Sequence, residues 1–359
     1  MKKLMKGNEA VAEAAIAAGC RCFFGYPITP QNEVPEYMSW RLKEVGGSFV
    51  QAESEVSAIN MVYGAAGAGV RSMTSSSSPG ISLKQEGISY IAGAQVPCVI
   101  VNMMRAGPGL GGIQPSQSDY FQATKGGGHG DYHMLVYAPS SVQEAVDLTY
   151  KAFFRADYYR TPVMILGDGM LGQMMEPAEI PEAVDLSSLE PKPWAASGNN
   201  GGTQRVINSI YMSPDALEEH NAMLTRRYEE MAKVDVMSES YRTDDAEVVL
   251  VAYGIVARIC KAAVDMLRES GVKAGLFRPV TVYPFPYEEI KKLADGKARK
   301  FISVELSCGQ LIEDVKLGLY DSKNRPEVGI FARVGGNVMS PEEIADYVKS
   351  GRLSKSWIK

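Results

Sequence analysis

Five short apolar segments separated by helical stretches constrain the fold of this sequence more than any other feature. They lie at 21–25, 70–74, 96–103, 134–137 and 163–167. Their apolar residues are continuous rather than alternating, which is typical of strands buried on both faces of a parallel sheet. Helices are predicted at about 8–18 and 55–68, the second rich in Ala and Gly, and after Ser141, which opens a capping-box pattern. The sequence therefore predicts an α/β domain with helices on both faces of the sheet.

The chain is too long for a single ordinary core, and its pattern changes twice. Its 359 residues predict two domains. Four prolines and the run SGNNGG lie within 176–204, which indicates a connector. A polar helix, predicted to be exposed, follows from Ser213-Pro214 to about 236, and a second strand–helix alternation begins near 244. We therefore predict a first domain at 1–192, a linker with a polar helix at 193–243, and a smaller α/β domain at 244–359.

Composition and charge exclude several classes of function. The formal net charge of −5 argues against a nucleic-acid partner, and no apolar run is long enough to predict a membrane span. Polar residues interrupt the start of the sequence where a secretory signal would be apolar, so we expect a cytoplasmic protein. No CxxC pair occurs, so neither zinc nor an iron–sulfur cluster is indicated. We expect all five cysteines to be small buried apolar residues: Cys20, Cys22, Cys98, Cys260 and Cys308.

Three segments place polar residues where α/β sheets bind ligands. In GYPITPQNE, Thr29 and Pro30 follow a strand and predict a helix cap and a first helical residue, an amino end that attracts anions. In QAESEVSAIN, Glu53 and Glu55 precede an apolar helix. In NMMRAGPGLGG, Arg105 follows an apolar strand and offers a fork suited to carboxylate or phosphate. A plain capped turn at Thr29, and complementation of the helix dipole by the two glutamates, remain alternative interpretations.

Three other motifs match known signatures only formally. GPGLGG fits GxGxxG, but IQPSQSD follows where a nicotinamide or flavin site needs a helix. Asp168 in Gly-Asp-Gly, with Asn199 and Asn200, imitates the magnesium–diphosphate motif of thiamine enzymes, yet the intervening stretch is proline-rich and the asparagines lie in a loop signal. His129 and His133 lack a third metal ligand, so a glycine-rich active-site loop is the preferred interpretation. The sequence thus indicates no metal site in this chain.

Longer segments around these residues resemble a known family. The chain is similar to the alpha subunit of 2-oxoacid:ferredoxin oxidoreductases in GYPITPQNE, QAESEVSAINMVYGAAGAG, RSMTSSSSPGISLKQEGISY, NMMRAGPGLGG, QPSQSD, GGGHGDYH and APSSVQEAVDL. The segment GLFRPVTVYPFP at 275–286 resembles that family's transketolase C-terminal-like domain. The branched-chain 2-oxoisovalerate (3-methyl-2-oxobutanoate) type is the nearest, with the 2-oxoglutarate and indolepyruvate types as alternatives. The resemblance implies a pyrimidine-type thiamine-diphosphate-binding domain followed by a smaller α/β domain.

The resemblance also implies roles for individual residues. Glu55 matches the catalytic glutamate that hydrogen-bonds the pyrimidine ring of thiamine diphosphate, and is preferred over Glu53. Thr29 and Arg105 match residues that contact the substrate carboxylate. The remaining cofactor-binding residues are expected to be Pro27, Ile28, Ser77 and Ser78.

The same resemblance implies that the chain acts only with partners. A beta subunit is expected to carry the domain that binds the diphosphate and Mg²⁺, and a small cysteine-rich, ferredoxin-like subunit to carry [4Fe–4S] clusters. The reaction would be coenzyme-A-dependent oxidative decarboxylation of a 2-oxoacid to acyl-CoA and CO2, with ferredoxin as acceptor. Half of another thiamine enzyme such as a transketolase-like protein, a non-enzymatic binding module, and a nicotinamide dehydrogenase remain as alternatives.

Overall fold

The fold contains two large β-sheets with helices packed against them and one antiparallel two-stranded sheet, in a computed structural model that describes residues 2–198, 202 and 204–357. The strands are β1 (Lys3–Lys6), β2 (Cys22–Gly25), β3 (Ser48–Gln51), β4 (Ser72–Ser76), β5 (Cys98–Met104), β6 (Leu135–Tyr137), β7 (Pro162–Asp168), β8 (Met175–Ala178), β9 (Ser238–Tyr241), β10 (Val248–Val251), β11 (Ala274–Pro279), β12 (Thr281–Tyr283), β13 (Lys300–Glu305) and β14 (Glu327–Ala332). The helices are α1 (Gly7–Ala17), α2 (Glu33–Glu44), α3 (Glu55–Gly67), α4 (Ser78–Gly93), α5 (Tyr120–Thr124), α6 (Val142–Tyr159), α7 (Gly169–Gln173), α8 (Pro214–Val234), α9 (Gly254–Glu269), α10 (Tyr287–Asp295), α11 (Leu311–Leu319) and α12 (Pro341–Lys349).

The larger sheet has the strand order β12-β6-β7-β5-β4-β2-β3 in the described part of the chain. Its strands pair in parallel from β6 to β3, and β12 joins antiparallel to β6. Every residue of β4, β5, β6 and β7 is buried. The predicted parallel sheet with strands covered on both faces is therefore confirmed.

The second sheet has the order β14-β13-β10-β11-β9 within the described residues. Its strands β10, β11, β13 and β14 are parallel, and β9 pairs antiparallel to β11. Residue 244 does not separate the two sheets completely. Strand β9 precedes it but belongs to the second sheet, and β12 follows it but belongs to the larger sheet. The predicted α/β alternation after residue 244 is confirmed by β10, α9, β11, α10, β13, α11, β14 and α12.

The helices pack against one another and against the sheets through small residues and through single apolar faces. The Ala- and Gly-rich α3 packs closely on α4, because a Cβ added at Gly87 of α4 would lie 2.5 Å from Ile59 Cγ2 of α3. Helix α8 begins as predicted, with the Ser213 hydroxyl accepting from Ala216 N at 3.4 Å. It is less exposed than predicted, because one face packs inward through His220, Leu224, Tyr228 and Met231.

Two local predictions are wrong in position or burial. The strand predicted at 70–74 begins at Ser72 and ends at Ser76, since the chain is still turning out of α3 at residue 70. Cys308 is exposed and Cys22 is only half-buried, whereas Cys20, Cys98 and Cys260 are buried as expected. In the part of the chain that the structure describes, no helix combines the length and apolar character that a membrane span requires.

Candidate functional site

The predicted site residues lie at the carboxyl edge of neighbouring parallel strands of the larger sheet. Strands β5, β4, β2 and β3 are adjacent in that order. The loop with Thr29 follows β2, Glu55 follows β3, Ser77 and Ser78 follow β4, and Arg105 follows β5. Because parallel strands end at the same edge, four separate segments of the sequence meet at one place.

The segment at Thr29 is a turn and not the start of a helix, so that prediction is wrong. Helix α2 begins only at Glu33. Gln31 N donates to Ile28 O at 3.1 Å, and the buried Gln31 side chain accepts a hydrogen bond from the Ser75 hydroxyl. This contact anchors the turn to β4 and delays the helix, so Thr29 is an exposed loop residue with its carbonyl turned toward Arg105.

Glu55 is the first residue of α3 and is almost completely buried. The Ser54 hydroxyl caps the helix by accepting from Ser57 N at 3.1 Å, which leaves the Glu55 side chain free of a capping role. Glu55 is 7% exposed, whereas Glu53 is exposed. A Cβ at Gly80 would lie 2.7 Å from Glu55 Oε1, so the carboxylate rests directly on the first turn of α4. Glycine at position 80 is what permits this approach.

Arg105 ties the loops of this edge together. It is 8% exposed, and its guanidinium donates from Nη1 to Thr29 O and from Nη2 to Leu110 O, both at 3.0 Å. Its Nε is buried and has no hydrogen-bond partner among the described residues. Since a guanidinium carries five N–H donors, these two bonds leave donors for an anion.

A buried polar cluster fixes the first turn of α4. The Ser78 hydroxyl donates to Asp119 Oδ2 at 2.6 Å, and Asn102 Nδ2 donates to the same oxygen at 2.9 Å. Ser78 N donates to Asn102 Oδ1 at 3.1 Å. Burial raises the pKa of the Asp119 carboxyl, and these two side-chain bonds oppose the rise. The Ser78 side chain is therefore already hydrogen-bonded within the protein. Helix α4 begins at Ser78, and Ser77 occupies the cap position before it.

Three hydroxyls of β4 and the residue that follows it are buried but unsatisfied. The Oγ atoms of Ser76 and Ser77 and Thr74 Oγ1 have no hydrogen-bond partner within the described part of the chain. Buried hydroxyls are normally paired, so each of these atoms requires an explanation. Ser76 Oγ would lie 2.1 Å from a Cβ at Gly80, which places it next to the Glu55 carboxylate.

Sequence patterns missed three residues of this region, and Lys84 is the most unusual of them. Lys84, one turn after Gly80 in α4, is completely buried and its Nζ has no hydrogen-bond partner among residues 2–198, 202 and 204–357. The one signal in the sequence is a lone lysine within ISLKQEGI, where an apolar residue is expected. Gln31 and Asn102 were likewise not singled out.

The formally matching motifs take structural positions. Asp168 ends β7, and its Oδ1 caps α7 by accepting from Met170 N at 2.9 Å and Leu171 N at 3.0 Å, while Asn199 and Asn200 lie outside the described residues. The predicted active-site loop with His129 contacts later turns of α4, where the Ser89 hydroxyl donates to His129 O at 2.7 Å. No helix follows the glycines at 107–112 directly, since the next element is α5.

The buried polar side chains of this edge suit the polar ring of thiamine diphosphate. A buried carboxylate and unpaired hydroxyls suit hydrogen bonding to a polar heterocycle. No group of three or more His, Cys, Asp or Glu side chains that could hold a metal ion occurs among the described residues.

Comparison with known proteins shows the family to which this chain belongs. The family model "Pyruvate flavodoxin/ferredoxin oxidoreductase, thiamine diP-bdg" matches residues 13–241, and "Pyruvate:ferredoxin oxidoreductase core domain II" matches 246–344. The chain belongs to the pyruvate flavodoxin/ferredoxin oxidoreductase family. The predicted fold class and the predicted family of ferredoxin-linked oxidoreductases are thereby confirmed.

Individual members of the family are similar over nearly the whole chain. The ketoisovalerate oxidoreductase subunit VorB of Methanothermobacter thermautotrophicus is 50% identical over 350 residues, covering 97% of each chain. The 2-oxoglutarate synthase subunit KorA of the same organism is 37% identical, covering 96% of this chain and 97% of its own. A solved structure of 2-oxoglutarate:ferredoxin oxidoreductase from Magnetococcus marinus, with 2-oxoglutarate, coenzyme A and succinyl-CoA bound, has a TM-score of 0.83 at 26% identity. The match covers 97% of this chain and 65% of that longer chain.

Proposed function

We propose that this chain is the alpha subunit of a ferredoxin-dependent 2-oxoacid oxidoreductase that prefers 2-oxoisovalerate. The observation that carries the proposal is the buried Glu55 carboxylate against Gly80, at the edge where Arg105 also lies, in a chain of the thiamine-diphosphate-binding family. The reaction would convert a 2-oxoacid and coenzyme A to acyl-CoA and CO2. The 50% identity to a ketoisovalerate enzyme subunit, against 37% to a 2-oxoglutarate enzyme subunit, supports the branched-chain substrate.

In this proposal Glu55 holds the pyrimidine ring of thiamine diphosphate, which supplies the carbanion chemistry of decarboxylation when bound. A carboxylate with little access to water keeps strong hydrogen bonds, because the local dielectric is low. It would hold a proton at one ring nitrogen and so favour the tautomer that acts as a base. Ser77, with its unpaired hydroxyl, would bond the same cofactor, and Pro27 and Ile28 would line its ring.

Arg105 and Thr29 would receive the substrate carboxylate. The free donors of the Arg105 guanidinium supply charge, and its bonds to Thr29 O and Leu110 O fix its orientation. Ser78 stays in the proposal as a residue that shapes the cofactor site through Asp119, since its hydroxyl is already bonded.

Partner subunits would complete the site. The edge lacks a magnesium cluster among its described side chains, which supports a beta subunit holding the diphosphate and Mg²⁺. Exposed apolar side chains flank Glu55 and Arg105 in the same segments, as a subunit contact requires. They are Tyr26, Val56, Leu83, Leu110 and Ile113. A small subunit with [4Fe–4S] clusters would carry electrons to ferredoxin.

The domain division and location belong to the same proposal. The first family model ends at residue 241 and the second begins at 246, which supports a boundary near 244. The division of the preceding part into a first domain at 1–192 and a linker at 193–243 stays a prediction. The cytoplasmic location stays a prediction.

The test is an assay of the complex that copurifies with this chain. It would measure coenzyme-A-dependent reduction of ferredoxin or a viologen dye with 2-oxoisovalerate, 2-oxoglutarate, pyruvate and indolepyruvate. Fastest reduction with 2-oxoisovalerate is expected. Fastest reduction with another 2-oxoacid would correct the substrate, and no reduction by a cluster-loaded complex with any of them would overturn the proposed function.

A further inference from the structure

Lys84 is a completely buried lysine on the face of α4 that Glu55 contacts. It follows Gly80 by four residues, so both positions lie on one face of the helix. Helical side chains lean toward the amino end of their own helix. The lysine stem therefore extends toward the first turn, where the Glu55 carboxylate rests on Gly80. In the described part of the chain, Lys84 Nζ has no hydrogen-bond partner.

Glu55 is what favours the charged form of this lysine. Burial lowers the pKa of Lys84 to about 8, and the charge of Glu55 acts in the opposite direction. The attraction between two charges is mutual, so the Lys84 ammonium also pulls on the Glu55 carboxylate. An ammonium that attracts without a direct hydrogen bond leaves the carboxylate oxygens available for another partner.

No other charged group of the described residues acts on Lys84 to a comparable degree. Helix α4 packs against α3, β5, β7 and the glycine-rich loop. The titratable side chains of these elements, and of α4 itself besides Lys84, are Glu55, Tyr63, Cys98, Asp168, His129, Asp131, Tyr132, His133, Glu86 and Tyr90.

We propose that Lys84 is a positioning residue of this site: its buried ammonium is the fixed counter-charge that orients the Glu55 carboxylate, and its deprotonation lowers turnover at alkaline pH. The proposal rests on the function proposed above. The ammonium is present below the pKa of Lys84 and absent above it, so the site loses its counter-charge as the pH rises through about 8. A lysine that only fills space would give no such dependence.

The first experiment compares pH profiles of the purified complex carrying wild-type chain, Lys84→Met or Lys84→Arg. Lys84→Met should lower kcat about tenfold at pH 7 with KM for the 2-oxoacid changed by less than about twofold, and remove the fall near pH 8. Lys84→Arg should restore most of kcat and extend it to higher pH, because a guanidinium stays charged. Lys292→Met, at an exposed lysine of α10, is the matched control and should change nothing.

The second experiment tests the coupling without using activity. A double-mutant cycle of Lys84→Met and Glu55→Gln is read from the thermal unfolding midpoint of the complex at pH 7 and pH 10. Glu55→Gln should lower the midpoint at pH 7 in the wild-type background and have a smaller effect with Lys84→Met. The coupling should shrink at pH 10, where the lysine is neutral.

The possible outcomes separate this inference from the proposed function. If Lys84→Met keeps both kcat and the alkaline fall, or if the cycle shows no coupling at pH 7, Lys84 is not a positioning residue. If Lys84 fails in that way but Glu55→Gln still abolishes turnover, the proposed function stands and only this inference is overturned. If Glu55→Gln keeps full turnover, the proposed role of Glu55 is wrong, and the inference about Lys84 is wrong as well because it depends on that role.

Discussion

Lys84 should make the stability of the protein rise with pH, because its charged form is disfavoured by folding. The pKa of Lys84 falls from its ordinary value of 10.5 to about 8 in the folded chain. The unfolded chain therefore binds more protons between these values, and stability increases with pH across that window. At pH 7, the lowered pKa of Lys84 makes the folded state less stable by about 3 kcal/mol than if the lysine were neutral.

Lys84→Met removes this charge while keeping an unbranched apolar stem. At pH 7 the variant should be more stable than the wild-type chain by up to about 3 kcal/mol, and at pH 10 by no more than about 1 kcal/mol. How well methionine fills the site changes the stability difference between the variant and the wild-type chain by the same amount at every pH. The decisive quantity is therefore the change of the difference between pH 7 and pH 10.

The assay is the thermal unfolding midpoint of the complex at pH 7, 8, 9 and 10, for wild type, Lys84→Met and Lys292→Met. The exposed Lys292 should give a difference that is flat with pH. A flat difference for Lys84→Met as well would show that burial does not perturb this lysine, and the reasoning would be refuted.

Two further substitutions test the packing at the site and between the sheets. Gly80→Ala should lower turnover about a hundredfold without dissociating the complex, because its Cβ would lie 2.7 Å from Glu55 Oε1. The control is Gly64→Ala, which has open space around it and should keep full turnover. Turnover is measured with the dye assay and complex integrity by gel filtration, and equal activity of the two variants would contradict this prediction. Arg278→Met should destabilise the complex by about 3 kcal/mol, since it leaves the Glu144 carboxylate without its buried partner, and an unchanged unfolding midpoint would contradict it.

Local patterns predicted the alternation of strands and helices that begins near residue 244. It includes helix α10 at 287–295 and helix α12, which begins at Pro341 after a capping box at Ser340. These elements combine one-sided apolar periodicity with short-range capping, and both are properties of neighbouring residues.

Contacts between distant residues explain what the sequence did not reveal. The pairing of Thr281 in β12 with Tyr137 in β6 joins segments 144 residues apart, which no local pattern specifies. The turn at Thr29 depends on the bond between Gln31 and Ser75, whose partners are 44 residues apart. Burial of Lys84 contradicts the usual exposure of lysine and follows only from the packing of α4 on α3.

For the site itself, the sequence identified the segments but not their mutual geometry. Glu55, Arg105 and Thr29 were singled out, and the structure brings their segments to one edge of the sheet. The engagement of Ser78 with Asp119, and the unpaired Ser76 hydroxyl beside Gly80, required coordinates.

The matched pair Glu55→Gln and Glu53→Gln tests the central claim most directly. The two glutamates are two residues apart, one buried at the carboxyl edge and one exposed, and both substitutions remove one negative charge. The measurement is the rate of 2-oxoisovalerate-dependent dye reduction by complexes shown to be intact by gel filtration. Glu55→Gln should lower the rate by about a hundredfold or more while Glu53→Gln stays near wild type. Full activity of the Glu55→Gln complex would contradict the proposed site.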